Sequence, residues 1–258
     1  MPRYAILMEY DGGQYVGYQI QRNGHTVQAA LEDALTLIAK LPKGEHIPTS
    51  CSGRTDAGVH ALGQVVHCDF PYDIPEAAFL RALNSILDPS IRIKQVTRVA
   101  EDFHARYLAI GKEYLYRVDL GAFPDPFKRR YTLHHPYETD LSRIQEAAQA
   151  VIGTHDFTSF CSTKTDKTDL VRTITSIDIW HDPEMNELCF RFKGNGFLYN
   201  MVRILVGTLL QIGDGLKPVD ELTRLLDVKD RRQAGPTAPP QGLYMVKVYY
   251  PDDINPFN

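Results

Sequence analysis

The chain has 258 residues, 43% of them apolar, and a formal charge of -4. That length and apolar content exclude a disordered or fibrous protein and allow one large or two ordinary domains, each with a core of its own. An acidic chain does not attract phosphate as a whole, so a polyanionic partner has to be met by a local basic surface. The opening MPRYAILMEY has no long apolar stretch, and the other apolar runs are broken well short of a membrane span, which reads as a soluble protein. Cys51, Cys68, Cys161 and Cys189 are widely separated and form no CxxC pair, so reduced thiols in a reducing cytosol are expected, not a zinc ribbon or a disulfide framework.

In chain order, residues 3–10 form an apolar run that reads as a strand. Val27, Ala30, Leu31, Ala34, Leu35 and Ile38 then recur at helical spacing behind Thr26, a candidate N-cap. Residues 50–54 and 62–70 read as extended, 75–87 as a helix opened by proline, and 91–99 as a β-rich segment. This order is that of a split βαβ, or ferredoxin-like, unit.

A second, less clean round follows. Residues 114–120 alternate, 141–152 are an amphipathic helix ended by Gly153, 173–180 and 187–193 make a hairpin, 197–212 a long helix and 243–250 a final strand. The boundary is expected within GAFPDPFKRR, residues 121–130, where turn formers meet a basic cluster. The expectation is therefore an α+β protein of two ferredoxin-like halves, residues 1–120 and 121–258. Their largely antiparallel mixed sheets meet to form a central cleft.

Three places carry chemistry. In SGRTDAGVHA, Asp56 sits on a short loop where Gly58 can adopt backbone angles closed to other residues. On spacing alone an Asx turn is the ordinary reading of such a loop. Arg203 interrupts FLYNMVRILVGTLLQI, a helix apolar on nearly every side, and a guanidinium there needs a partner because a lone buried charge is costly. A helical stripe would join it to Tyr199, Asn200 and Gly207; Asp56 is the candidate partner, with another acid or a snorkelling side chain as alternatives. In YLYRV, alternation places Tyr114, Tyr116 and Val118 on one strand face, either packing the sheet or offering a flat surface to a base.

The chain resembles the TruA family of tRNA pseudouridine synthases. The stretches that carry the resemblance are YDGGQYVGYQIQ with TVQAALEDAL, then GRTDAGVHALGQVVH, FHARYLAIGKEYLYRV, GTHDFTSFC, GFLYNMVRILVGTLLQIG and AGPTAPPQGLYM, in order along nearly the whole chain. Tyr18 stands where the family usually has tryptophan, and Gly13 where threonine is common.

The resemblance implies a reaction in which the bond from ribose C1′ to uracil N1 breaks, the uracil turns in place, and C1′ is rejoined to C5. It implies no redox cofactor and no metal, with Asp56 as the catalytic residue. Asp56 would either add to C1′ or take the C2′ proton, and both routes need it ionised in a partly dry pocket. Arg203 matches the family's partner arginine and would compensate that charge. Tyr114 matches the tyrosine that stacks on the target uracil, and Arg54 would hold the extruded phosphate or fill the vacated space when the nucleotide flips, at a cost of roughly a few kcal/mol.

Family members modify uridines at tRNA nucleotide positions 38, 39 and 40 in the anticodon stem-loop, work as homodimers and are cytoplasmic. Lys128, Arg129, Arg130, Lys164, Lys167, Arg231 and Arg232 cluster in three loops that would line the tRNA path, with a plain solvated surface as the alternative for each cluster. His60 is read as fixing its loop by hydrogen bonding.

Two rivals of other classes stand beside this. An RRM-like RNA-binding module would explain the tyrosines but gives no use to Asp56 and Arg203. An aspartate-nucleophile hydrolase would need a second acid near Asp56, for which Asp33 and Asp69 are the candidates, neither in a convincing motif.

Overall fold

The computed structural model describes residues 1–163 and 168–257. It contains β1 (Arg3–Tyr10), α1 (Val27–Ala39), β2 (Ser50–Cys51), β3 (His60–Asp69), α2 (Glu76–Ile86) and β4 (Ile91–Val99). There follow β5 (Gly111–Asp119), β6 (Leu133–His134), α3 (Leu141–Ala148), β7 (Gly153–Asp156), β8 (Val171–Asp182), β9 (Glu187–Gly194), α4 (Met201–Gly213), α5 (Glu221–Val228) and β10 (Leu243–Tyr249). Two compact units are formed, one from Met1–Ile110 with Tyr244–Asn258, the other from Gly111–Leu243. The split falls at 110/111, ahead of the sequence boundary at 120/121, because β5 opens the second unit and all but the first residue of β10 belongs to the first.

The first unit is an α+β fold whose strands lie in the order β4-β1-β3-β2, with every one of these pairs antiparallel. That is the arrangement the split βαβ pattern predicts. β2 occupies only the Val66–His67 end of the β3 edge. β10 takes the other end in parallel, aligning Tyr244 with His60 and Met245 with Ala61. α1 starts where Thr26 Oγ1 accepts the Ala29 N–H, a threonine cap that satisfies one of the donors orphaned at a helix start. α2 packs on β4 and against α1. Leu31, Leu35, Phe79 and Leu83 are fully buried between these elements, each stabilising the unit by about 1.5–3 kcal/mol.

The second unit pairs β7, β8, β9 and β5 in that order, all antiparallel, and adds β6 parallel to the end of β5. α3 is capped by Asp140 and ends four residues sooner than expected, the chain tightening through a 3-10 turn at Gln149–Val151 before Gly153 at φ +110°. α4 packs against α3 and β5 and is buried along almost its whole length. It begins at Met201, four residues after the expected start, because Asn200 holds the left-handed conformation at φ +62°. Asparagine tolerates that conformation and a helix does not. Tyr199 and Asn200 therefore precede the helix and share no helical stripe with Arg203. Among the described residues, no helix is long and apolar enough to cross a membrane.

Candidate active site

The 52–60 loop enters β3 from β2, and its geometry is set by backbone contacts on both sides. The Val59 N–H donates to the Asp56 carbonyl at 3.1 Å, closing a turn around Ala57 and Gly58, and Gly58 supplies the φ of +77° which that turn needs. The Gly58 N–H reaches the Tyr15 carbonyl, and the Thr55 carbonyl accepts the Tyr18 N–H at 3.0 Å, so the segment after β1 clasps the loop. Gly12 allows the closest approach: a Cβ there would stand 2.0 Å from the Val59 carbonyl oxygen. Asp56 is half-buried, Arg54 is exposed, and Thr55 between them is buried.

His60 closes the loop at the mouth of β3 and is buried. Its Nδ1 lies 3.1 Å from the Gly12 nitrogen and 3.1 Å from Asp11 Oδ1. A backbone N–H can only donate, so toward Gly12 the Nδ1 is an acceptor. The ring stacks on Tyr244 with centroids 4.9 Å apart. His60 thus binds the 3-10 turn at Gly12–Gln14 to the start of β3, as a loop-fixing histidine should.

In the second unit, Arg203 projects from the first turn of α4 and is half-buried. Its Nε donates to the Ala238 carbonyl at 2.7 Å and its Nη1 to Asn200 Oδ1 at 2.9 Å, while the Ala238 N–H returns to the Arg203 carbonyl at 3.0 Å. Asn200, out of the helix, serves as the side chain that orients the guanidinium. Tyr116 donates its hydroxyl to the neighbouring Pro239 carbonyl at 2.7 Å, and burial pushes its phenol above the ordinary tyrosine range despite the opposing charge of Arg203. Gly207 lies under the same segment, where a Cβ would stand 2.0 Å from the Pro236 carbonyl. The stretch APPQGL is therefore packed across β5 and α4 and fixes the direction of Arg203. Tyr114 is nearly buried and meets Phe197 edge to face at 5.1 Å.

The rivals meet specific geometry. Tyr116 is fully buried with its hydroxyl committed, so the Tyr114 and Tyr116 face is no open stacking platform of the RRM kind. Asp69 ends β3, nine residues after His60 and so roughly 30 Å along the strand, where Arg3 binds it through two 2.8 Å contacts. Asp33 is exposed on α1. Neither supplies a second acid beside Asp56.

The basic residues separate into two kinds. Lys128 Nζ lies 3.2 Å from Asp119 and 3.7 Å from Glu187 and donates to the Met185 carbonyl, so this lysine anchors the 121–131 segment. Arg231 is half-buried and donates to the Gly235 carbonyl and Thr237 Oγ1, both at 3.0 Å, bracing the segment that Arg203 also binds. Arg129, Arg130 and Arg232 are exposed, the last paired with Asp230. Lys164 and Lys167 lie outside the described residues. Among the described residues, no group of three or more His, Cys, Asp or Glu side chains is arranged to hold a metal ion.

The clasped Asp56 loop and the oriented Arg203 each lie in a segment that known proteins share. A family model described as tRNA pseudouridine synthase matches residues 6–108 and 147–251. The chain belongs to this family, isomerases that act on tRNA. Among its relatives, the tRNA pseudouridine synthase A of Latilactobacillus sakei subsp. sakei is 51% identical over 248 residues, spanning 96% of this chain and 98% of that protein. That of Limosilactobacillus fermentum is 50% identical over 258 residues and spans both chains fully. The protein of the same name from Listeria monocytogenes serovar 1/2a is 47% identical over 251 residues, 97% of this chain and 100% of that one.

Proposed function

We propose that this tRNA pseudouridine synthase acts on uridines at nucleotide positions 38, 39 and 40 of the anticodon stem-loop, with Asp56 as its catalytic residue. The observation that supports this most directly is a half-buried carboxylate on a loop clasped by backbone hydrogen bonds, inside a segment shared with the family. The bonds balance without an external reactant. C1′–N1 breaks and C1′–C5 forms, the C5 proton leaves, and N1 gains one. Asp56 either adds to C1′ and is later displaced by C5, or removes the C2′ proton and returns it. Deuterium at C2′ separates the routes, since only the second makes and breaks that bond.

In this reading Arg203 supplies the positive charge that keeps Asp56 ionised, and the Tyr114 ring stacks on the uracil. Arg54 holds the extruded nucleotide, because a uridine in a stem has to be flipped to expose C1′. Of the basic residues expected along the tRNA path, Arg129, Arg130 and Arg232 are the described ones that lie exposed, and they would meet phosphate. The enzyme works as a homodimer in the cytoplasm, where its tRNA is found.

Modification mapping of tRNA treated with wild type and with Asp56→Ala tests the proposal. Pseudouridine is expected at positions 38 to 40 with wild type and none with the variant. An unmodified anticodon arm with wild type refutes the site, and full activity of Asp56→Ala refutes the residue. Arg203→Met is expected to abolish turnover in a folded protein; near-normal turnover removes Arg203 from the mechanism.

A further inference from the structure

Gln64 is a primary amide at zero exposure in the middle of β3, followed by the buried Val65 and Val66. Burying an amide costs free energy unless its atoms are hydrogen-bonded, and an apolar side chain would serve the sheet there at no such cost. Its partners explain its presence. Oε1 accepts the Ser52 hydroxyl at 2.7 Å, Nε2 donates to the Gly53 carbonyl at 2.7 Å, and the same Nε2 lies 3.5 Å from the Tyr10 hydroxyl. The Gly53 carbonyl can only accept, which fixes the orientation of the amide.

Tyr10, at the end of β1, carries the contact one step further, its hydroxyl 2.7 Å from Thr55 Oγ1. The phenol is buried, and burial pushes it well above the ordinary tyrosine range. The Ser52 N–H meanwhile donates to the Val65 carbonyl at 2.8 Å. Three of the four residues immediately before Asp56, namely Ser52, Gly53 and Thr55, are thus bound from below by two side chains of β1 and β3. Arg54 alone turns outward to solvent.

We infer that Gln64 and Tyr10 are positioning residues of the isomerisation: through Ser52, Gly53 and Thr55 they set where Asp56 stands, without touching the substrate. The inference rests on Asp56 being the catalytic residue. A catalytic group displaced by about 1 Å loses about 10²-fold in rate, so the buried network acts on the rate of the bound complex and leaves tRNA affinity alone.

The experiment is single-turnover tritium release from tRNA carrying 5-tritiated uridine, at saturating enzyme, together with tRNA binding. Gln64→Glu puts an acceptor against the Gly53 carbonyl and is expected to slow release about 10²-fold with tRNA affinity within about twofold. Tyr10→Phe removes one hydroxyl from a folded protein and is expected to slow it about tenfold. Tyr4→Phe is the control on the same strand: its hydroxyl binds Asp73 and the Ile74 carbonyl, away from the loop, so it loses stability with an unchanged rate. Equal rates for Tyr10→Phe, Tyr4→Phe and wild type, with Asp56→Ala inactive, overturn the positioning role alone. An active Asp56→Ala overturns the catalytic reading beneath it.

Discussion

Substitution of Gly12 by alanine tests how rigidly the Asp56 loop is held. The added Cβ would lie 2.0 Å from the Val59 carbonyl oxygen and 2.6 Å from its carbon, whereas real Cβ contacts essentially never fall under 3.0 Å. Both opposing atoms are backbone, so no side chain can rotate away, and one segment has to retreat by about 1 Å. Overpacking of this kind costs about 1–3 kcal/mol. The retreat also strains the Gly12 N–H contact to His60 Nδ1. Because the Val59 N–H closes the turn on the Asp56 carbonyl, a shift of Val59 carries Asp56 with it. A displacement of that size costs about 10²-fold in rate. Urea unfolding reads the first effect and single-turnover tritium release the second. Wild-type stability refutes the close approach; a destabilised variant that still releases tritium at the wild-type rate refutes its transmission to Asp56.

Two further outcomes follow from other parts of the chain. Tyr114→Phe keeps the ring against Phe197 and removes the hydroxyl; if that hydroxyl helps remove the C5 proton, tRNA binding persists while turnover falls by about 10²-fold, and undiminished tritium release leaves stacking as the whole contribution of Tyr114. His67 is buried, its Nδ1 accepting the Ala105 N–H at 3.2 Å, and burial, followed by the nearby His104 and Arg3, lowers it from 6.5 to about 4. Between those values the unfolded chain binds a proton that the folded chain refuses, so stability falls as pH drops through the window. The loss is on the order of 1–2 kcal/mol by pH 5. Urea midpoints at pH 7 and pH 5 should draw closer in His67→Gln than in wild type, and an unchanged gap refutes the assignment.

Strands β1, β3 and β4 and helices α1 and α2 are legible because each rests on a pattern spanning about ten residues: alternation, helical recurrence, the Thr26 cap, the proline before α2. The start of α4 lies four residues beyond the start that the apolar pattern predicts: Phe197 and Leu198 are as apolar as the helix they precede, and the left-handed Asn200 breaks the run before Met201. The strands β6 and β7, two and four residues long, carry too little periodicity to be read; α5 does carry it, with Leu222 and Leu225 one turn apart on its buried face.

Arg203 stands out in the sequence as a charge in an apolar helix, whereas Asp56 and Tyr114 are singled out by the stretches that resemble a family. Gln64 carries a comparable signal, one amide in an apolar strand. Its meaning depends on Tyr10, 54 positions away, and on Ser52, 12 positions away.

The sequence by itself determined the α+β class, the order of the elements, the family and the loop that bears the carboxylate, since these follow from local backbone preference and short contiguous stretches. Tertiary structure alone decided that Gln64 and Tyr10 brace that loop, that Lys128 and Arg231 are structural anchors, and that APPQGL directs Arg203. Most of these are hydrogen bonds or ion pairs between residues distant in sequence, and the Arg231 contacts, four and six positions apart, depend on a loop path that no local pattern specifies; strand register and chain crossing set which donor meets which acceptor.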